Sequence, residues 1–269
     1  MTRKQLIEEI GRKQSFLCVG LDTDPGKIPQ HLLSAPDPVF EFNKEIIDAT
    51  KPYCVSYKIN TAFYEAMGIK GWELLEKTVD YIPEGYLKIA DAKRGDIGNT
   101  SAQYAKTFFE VYNFDAVTVA PYMGEDSIRP FLDYSDKWTI VLGLTSNKGA
   151  NDFEMLSTGS SFLFEKVLTT VSSWGTTENL MFVTGATQAS QFEQIRKLVP
   201  DHFLLVPGVG TQGGSLDEVS RYGLIPDVGL LVNASRAILY AGNNHDFAGK
   251  AATVAEDYSR EMAGYLSRV

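Results

Sequence analysis

YLKIADAKRGDIGNT, residues 86–100, changes character at its midpoint. Its first half, Tyr86 to Ala90, has the aromatic and branched aliphatic content of a short buried strand. Its second half brings Asp91, Lys93, Arg94 and Asp96 in quick succession, then a glycine, an asparagine and a threonine that suit a turn and a helix cap. An apolar strand that ends in charge and hands over to a helix is the βα half of a βαβ unit.

The same half-unit recurs on both sides of this stretch. Upstream lie FLCVGLD (16–22) and CVSYKIN (54–60); downstream lie AVTVAP (116–121), TIVLGLTS (139–146), LMFVTGA (180–186), FLLVPGVG (203–210) and GLLVNAS (229–235). With YLKIADAK (86–93) these make eight predicted strands. Helical spacing fills the gaps, as in Gly71 to Ile82, where Trp72, Leu75, Val79 and Ile82 recur at i, i+3, i+7 and i+10. Ser101 to Tyr112, Ser160 to Trp174 and Gln191 to Val199 fit the same template, Phe247 to Tyr265 predicts a long closing helix, and a short helix precedes the first strand. Strands alternating with helices indicate a parallel sheet, and eight units favour a closed (β/α)8 TIM barrel, an α/β fold. The 269 residues carry no linker, repeat or low-complexity tract, so residues 1–269 are expected to form one domain. The stretches Asp24 to Pro38 and Thr145 to Gly159 exceed the common βα loop length, and both follow a strand.

Composition narrows the partners. A net charge of −9 disfavours general attraction to nucleic acid or anionic membranes, so any anionic ligand needs a local positive site. The N-terminal segment interleaves charge with Leu and Ile and lacks a signal-peptide core, and no apolar run is long enough to span a bilayer; the cytoplasm is the expected location. Cys18 and Cys54 sit in apolar runs and read as small core side chains. His31, His202 and His245 have no ligand spacing and read as surface residues.

Polar residues gather where the predicted strands end, which is where barrels place their chemistry. Asp22 ends the first, Lys58 and Asn60 the second, Asp91 and Lys93 the third, Thr145 and Ser146 the fifth; Gln212 follows the seventh and Arg236 the eighth. Asp91 and Lys93, two apart, are expected to project from one face of an extended chain. The aspartate would keep the lysine charged, leaving Lys93 able to deliver a proton to a carbanion. The plain alternatives are a solvated ion pair for Asp91 and Lys93, and a cap on the third helix for Asp96. PGVGTQGG, residues 207–214, is a glycine-rich loop whose amides can approach an anion, and Arg236 one unit later can grip phosphate with two donors. Mg²⁺ would compete for Asp22, Asp24, Asp91 and Asp96, but Lys58 and Lys93 would repel it, so no metal is expected.

Together GLD (20–22), YKIN (57–60), DAKRGDIGNT (91–100), LTSNKGA (144–150), PGVGTQGG (207–214) and NASRAI (233–238) resemble the orotidine 5′-phosphate decarboxylase family, in the family's order and from strand one to strand eight. The resemblance implies decarboxylation of orotidine 5′-phosphate to UMP in pyrimidine synthesis, without metal or organic cofactor. It implies that Lys58, Asp91, Lys93 and Asp96 form an alternating charge array at the reacting carbon. It further implies that Asp22 and Asn60 hold the ribose, Ser146 the pyrimidine edge, and Pro207, Gln212, Ser235 and Arg236 the phosphate end. Asp96, with Ile97 and Thr100, would reach into the neighbouring subunit's site, making a homodimer with shared active sites. Two departures stand out: Ser235 where many members have glycine, and Lys148 where proline is frequent. The insertions around 24–38 and 147–159 are similar to those of the family's longer bacterial branch. The competing readings are a Mg²⁺-dependent sugar-phosphate decarboxylase or aldolase of the same superfamily, which carries glutamate where this chain has Lys58, and a non-catalytic nucleotide-binding protein.

Overall fold

In the computed structural model, which describes residues 1–210 and 213–268, the eight strands are β1 (Leu17–Gly20), β2 (Ser56–Asn60), β3 (Leu87–Arg94), β4 (Ala116–Val119), β5 (Trp138–Leu144), β6 (Leu180–Thr184), β7 (Phe203–Pro207) and β8 (Leu230–Ala234). Each pairs in parallel with the next, and β8 returns to β1, closing the barrel. The strands are buried along most of their length because helices cover the outside and side chains fill the inside. This is why they read as continuous apolar runs with no alternation.

Helices α1 (Arg3–Lys13), α2 (Pro38–Thr50), α3 (Thr61–Glu65), α4 (Ile69–Tyr81), α5 (Gly98–Lys106), α6 (Glu125–Leu132), α7 (Leu163–Ser172), α8 (Phe192–Leu198), α9 (Leu216–Gly223), α10 (Arg236–Leu239) and α11 (Phe247–Leu266) surround it. α1 starts from a capping box, with Thr2 accepting from the Gln5 amide, and buries Leu6 and Ile10. It lies across the N-terminal ends of the strands: the Trp138 indole donates to the Met1 carbonyl, and Arg3 reaches the Thr177 carbonyl and Asp227. The predicted helix Ser101 to Tyr112 is a shorter α5 followed by a π turn at Thr107–Val111, which tucks Phe108 and Phe109 into the core. Among the described residues no helix is long and apolar enough to cross a membrane.

His202, taken from sequence as a surface residue, is 8% exposed, its ring set edge-on 5.5 Å from Phe182. It precedes β7 at the closed end of the barrel, and neither ring nitrogen has a hydrogen-bond partner. Burial, with the positive Arg3 and Arg196 nearby, pushes its pKa down to about 4. Cys18 and Cys54 are buried free thiols, as their apolar settings predict.

The β3–β4 ladder breaks its register where the chemistry is densest. Ala90 pairs with Val117, and the next pair is Arg94 with Val119. Asp91, Ala92 and Lys93 therefore bulge opposite the single residue Thr118, and Lys93 takes a left-handed φ of +47°. Bulges and strained backbone of this kind re-aim side chains beside active sites.

Candidate active site

A cavity of about 300 Å³ opens at the C-terminal ends of the strands. Its charged wall comes from β1, β2 and β3. Lys58, 3% exposed, directs Nζ to within 3.0 Å of Asp91 Oδ2 and 3.4 Å of Asp22 Oδ1. Lys93 Nζ lies 2.5 Å from the other oxygen of Asp91 and is half exposed. The sequence expectation that Asp91 and Lys93 meet holds, but its reason does not. They share a face because the bulge and the left-handed turn at Lys93 bring them together, not because an extended strand alternates.

Electrostatics follow from this packing. Burial alone would raise the Asp91 pKa, yet the Lys58 and Lys93 ammonium groups outweigh it and hold the carboxyl well below the usual range. Burial alone would likewise lower the Lys58 pKa, and Asp22 and Asp91 reverse it, so the lysine stays charged. The result is a fixed row of alternating charges in a largely dry wall. Among the described residues no group of three or more His, Cys, Asp or Glu side chains is placed to hold a metal ion. The carboxylates of Asp22 and Asp91 are instead engaged by Lys58.

The remaining walls come from β5 to β8. Leu142, Val183 and Leu205 supply apolar surface, Ser146 stands beside them, and Pro207, Gly208, Ser235 and Arg236 line the end formed by β7 and β8. Two glycines make this closeness possible. A Cβ on Gly20 would stand 1.9 Å from Ser235 Oγ, and one on Gly185 would stand 2.6 Å from the Ser146 amide nitrogen. The glycine of GLD thus vacates the space that the Ser235 side chain fills.

Several predicted site residues lie elsewhere. Asn60 is not on the cavity wall; its Oδ1 accepts from the Ala62 amide as the N-cap of α3. Asp96, Ile97 and Thr100 also lie off the wall, on the exposed shoulder that leads into α5. Asp96 Oδ1 accepts from the Ile97 amide at 2.8 Å. Gln212 lies outside the described residues. Among the residues that the sequence did not single out, two tie the site together. Glu154 ties the loop after β5 to its strand, accepting from the Thr145 amide at 2.6 Å and from its hydroxyl. Thr118, 1% exposed, donates to Asp91 Oδ1 at 3.0 Å. Neither carries a local signal, since a threonine in AVTV is an ordinary strand residue and Glu154 sits in a loop nine residues from its partner.

Residues 15–251 match the profile described as the orotidine 5′-phosphate decarboxylase / HUMPS family. The chain belongs to this family. A Phocaeicola vulgatus relative named orotidine 5′-phosphate decarboxylase is 60% identical over 266 residues, which cover 97% of this chain and 98% of that protein. The solved structure of Leishmania donovani OMP decarboxylase superposes with a TM-score of 0.82 at 34% identity, covering 97% of this chain and 99% of that one. The structure of Leishmania donovani UMP synthase superposes with a TM-score of 0.83 at 36% identity, covering 94% of this chain but 56% of that longer one. The family match spans all eight strands, so it takes in both the charged wall and the β7–β8 end of the cavity.

Proposed function

We propose that this chain removes CO2 from orotidine 5′-phosphate to give UMP, the reaction for which its relatives are named. The observation that carries the reading is Asp91 held between Lys58 and Lys93 on the cavity wall. Loss of CO2 breaks the C6–carboxylate bond and leaves its electron pair in an in-plane orbital of C6, where the ring π-system cannot spread it. A positive charge fixed beside that carbon is the stabiliser that remains, and it acts most strongly where water is excluded and no reorganisation is needed. Lys93 Nζ, half exposed and aimed along the wall, then gives its proton to C6, and solvent returns one to the amine. Lys58 and Asp91 hold the array rigid, as their burial and paired distances require.

The rest of the nucleotide follows the cavity. Asp22 faces the ribose from the cavity wall. Ser146 meets the pyrimidine edge, and Arg236, with the backbone at Pro207 and Gly208 and the Ser235 hydroxyl, takes the phosphate. Binding energy gathered at the phosphate, away from C6, stabilises the closed site in which the chemistry occurs. The partner is a second copy of the chain. Ile97, the neighbour of Asp96 in the chain, is 56% exposed, and Met123 on the loop after β4, which approaches Gly95, is 48% exposed; exposed apolar side chains beside a site suit a two-fold contact. Asp96, Ile97 and Thr100 then complete the partner's cavity.

The test is loss of orotidine 5′-phosphate absorbance in excess EDTA, with Lys93→Ala alongside. Decay to UMP that survives chelation and falls by about 1000-fold or more in the variant supports the reading. Activity that appears only with Mg²⁺ and a sugar phosphate, or tight UMP binding without turnover, overturns it.

A further inference from the structure

We propose that Thr118 is a positioning residue for the Asp91 and Lys93 pair, its one hydroxyl setting the carboxylate at one end and the lysine backbone at the other. The inference rests on the decarboxylation reading and deepens it. Three residues of β3, Asp91, Ala92 and Lys93, stand opposite Thr118 alone, so the regular exchange of backbone hydrogen bonds fails across the bulge. The Lys93 amide is the donor this leaves over, and it donates to Thr118 Oγ1 at 2.9 Å. The hydroxyl hydrogen goes the other way, to Asp91 Oδ1 at 3.0 Å. Oγ1 thus does for the bulge what a strand carbonyl does in a regular ladder, and fixes a catalytic carboxylate in the same contact.

Three features make this a device of position. Thr118 is 1% exposed, which leaves no room for water to replace the hydroxyl. Lys93 holds a left-handed φ, a conformation that a lysine keeps only when its surroundings over-determine it. Thr118 is also β-branched, so its χ1 is stiff and the hydroxyl direction is set by the strand. Asp91 Oδ1 receives both Lys93 Nζ and Thr118 Oγ1. With the hydroxyl gone, Lys58 still holds Oδ2, but Oδ1 keeps only Lys93 as its partner, so the carboxylate can tilt about the Lys58 contact and carry the lysine ammonium with it. A displacement of about 1 Å at a reacting group costs about 100-fold in rate.

The experiment compares wild type, Thr118→Val and Thr118→Ser by steady-state decarboxylation and by UMP affinity. Valine keeps the shape and removes both hydrogen bonds; serine keeps the hydroxyl and loses the stiffness. The expected result is a kcat about 100-fold down in Thr118→Val, recovering to within about tenfold of wild type in Thr118→Ser, with UMP affinity changed by less than about threefold in both. A Thr118→Val kcat within about twofold of wild type overturns the proposal. Parallel losses of kcat and UMP affinity that serine does not rescue mark a merely structural role and also overturn it. If the wild-type chain does not turn over orotidine 5′-phosphate, the reading of the reaction fails, and crystal structures of wild type and Thr118→Val then decide the positioning claim. Lys93 leaving the left-handed region in the variant supports it, and an unchanged Asp91–Lys93 geometry overturns it.

Discussion

Lys58 Nζ lies 3.0 Å from Asp91 Oδ2, within a side chain almost wholly removed from solvent. A lysine so placed pays a large desolvation cost, which Asp22 and Asp91 offset by holding it charged. Removing one partner of such a cluster leaves the others buried and uncompensated. Lys58→Ala is therefore expected to lower stability by about 3–5 kcal/mol as well as to abolish turnover. Urea denaturation reads the first effect, and a loss below about 1 kcal/mol would show the cluster to be solvated.

Arg236 lines the end of the cavity formed by β7 and β8, whereas the charge array comes from β1 to β3. Arg236→Ala is expected to weaken UMP binding by about 10- to 100-fold, the worth of a charge-assisted hydrogen bond to phosphate. Titration of UMP and of uridine separates the roles. Uridine lacks the phosphate, and its affinity should not change; an equal loss for both ligands contradicts a phosphate role.

Asp96 is absent from its own chain's cavity wall, while Lys93 lines it. If Asp96 serves the partner's site, Asp96→Ala and Lys93→Ala are each inactive alone, yet mixing them restores activity. One site of each hybrid dimer then holds both intact residues, and random reassortment at equal amounts gives about a quarter of the wild-type rate. No recovery after verified subunit exchange would place Asp96 in its own subunit's chemistry or in none.

His202 is expected to contribute to a loss of stability in acid. Its pKa in the folded protein is pushed down to about 4, below the ordinary histidine value of about 6.5. Between these values the unfolded chain binds a proton that the folded chain does not, so stability falls as pH drops through that window. Arg3 and Arg196 oppose the imidazolium and Asp201 favours it. Substituting His202→Leu should flatten the decline, on the order of 2 kcal/mol across the window, in denaturation midpoints measured from pH 7 to pH 4. An unchanged slope would mean that other groups set it.

The strands were legible because each is a short apolar run with its polar residue at the end, and all eight were located to within about two residues at most boundaries. The addresses of Asp22, Lys58, Asp91, Lys93, Ser146 and Arg236 were legible for the same reason: in a barrel, the end of a strand is a place in space. Thr118 and Glu154 were not, since their partners come from a different strand or from a loop that folds back. His202 misled because polarity suggests exposure, whereas an imidazole can be buried neutral against Phe182.

By itself the sequence determined the alternation of strands and helices, the side of the barrel that carries polar groups, and the signs of the charges there. These depend on local pattern and on chain order, which a linear string contains. Only the tertiary structure decided how Asp91 and Lys93 meet. Two residues apart on a straight strand would have sufficed for a face, but the contact is made through a bulge, a left-handed lysine and the hydroxyl of a residue 25 positions away. Register between neighbouring strands is set by the packing of the whole barrel, and no stretch of sequence around residue 91 records which residue of β4 will stand opposite it.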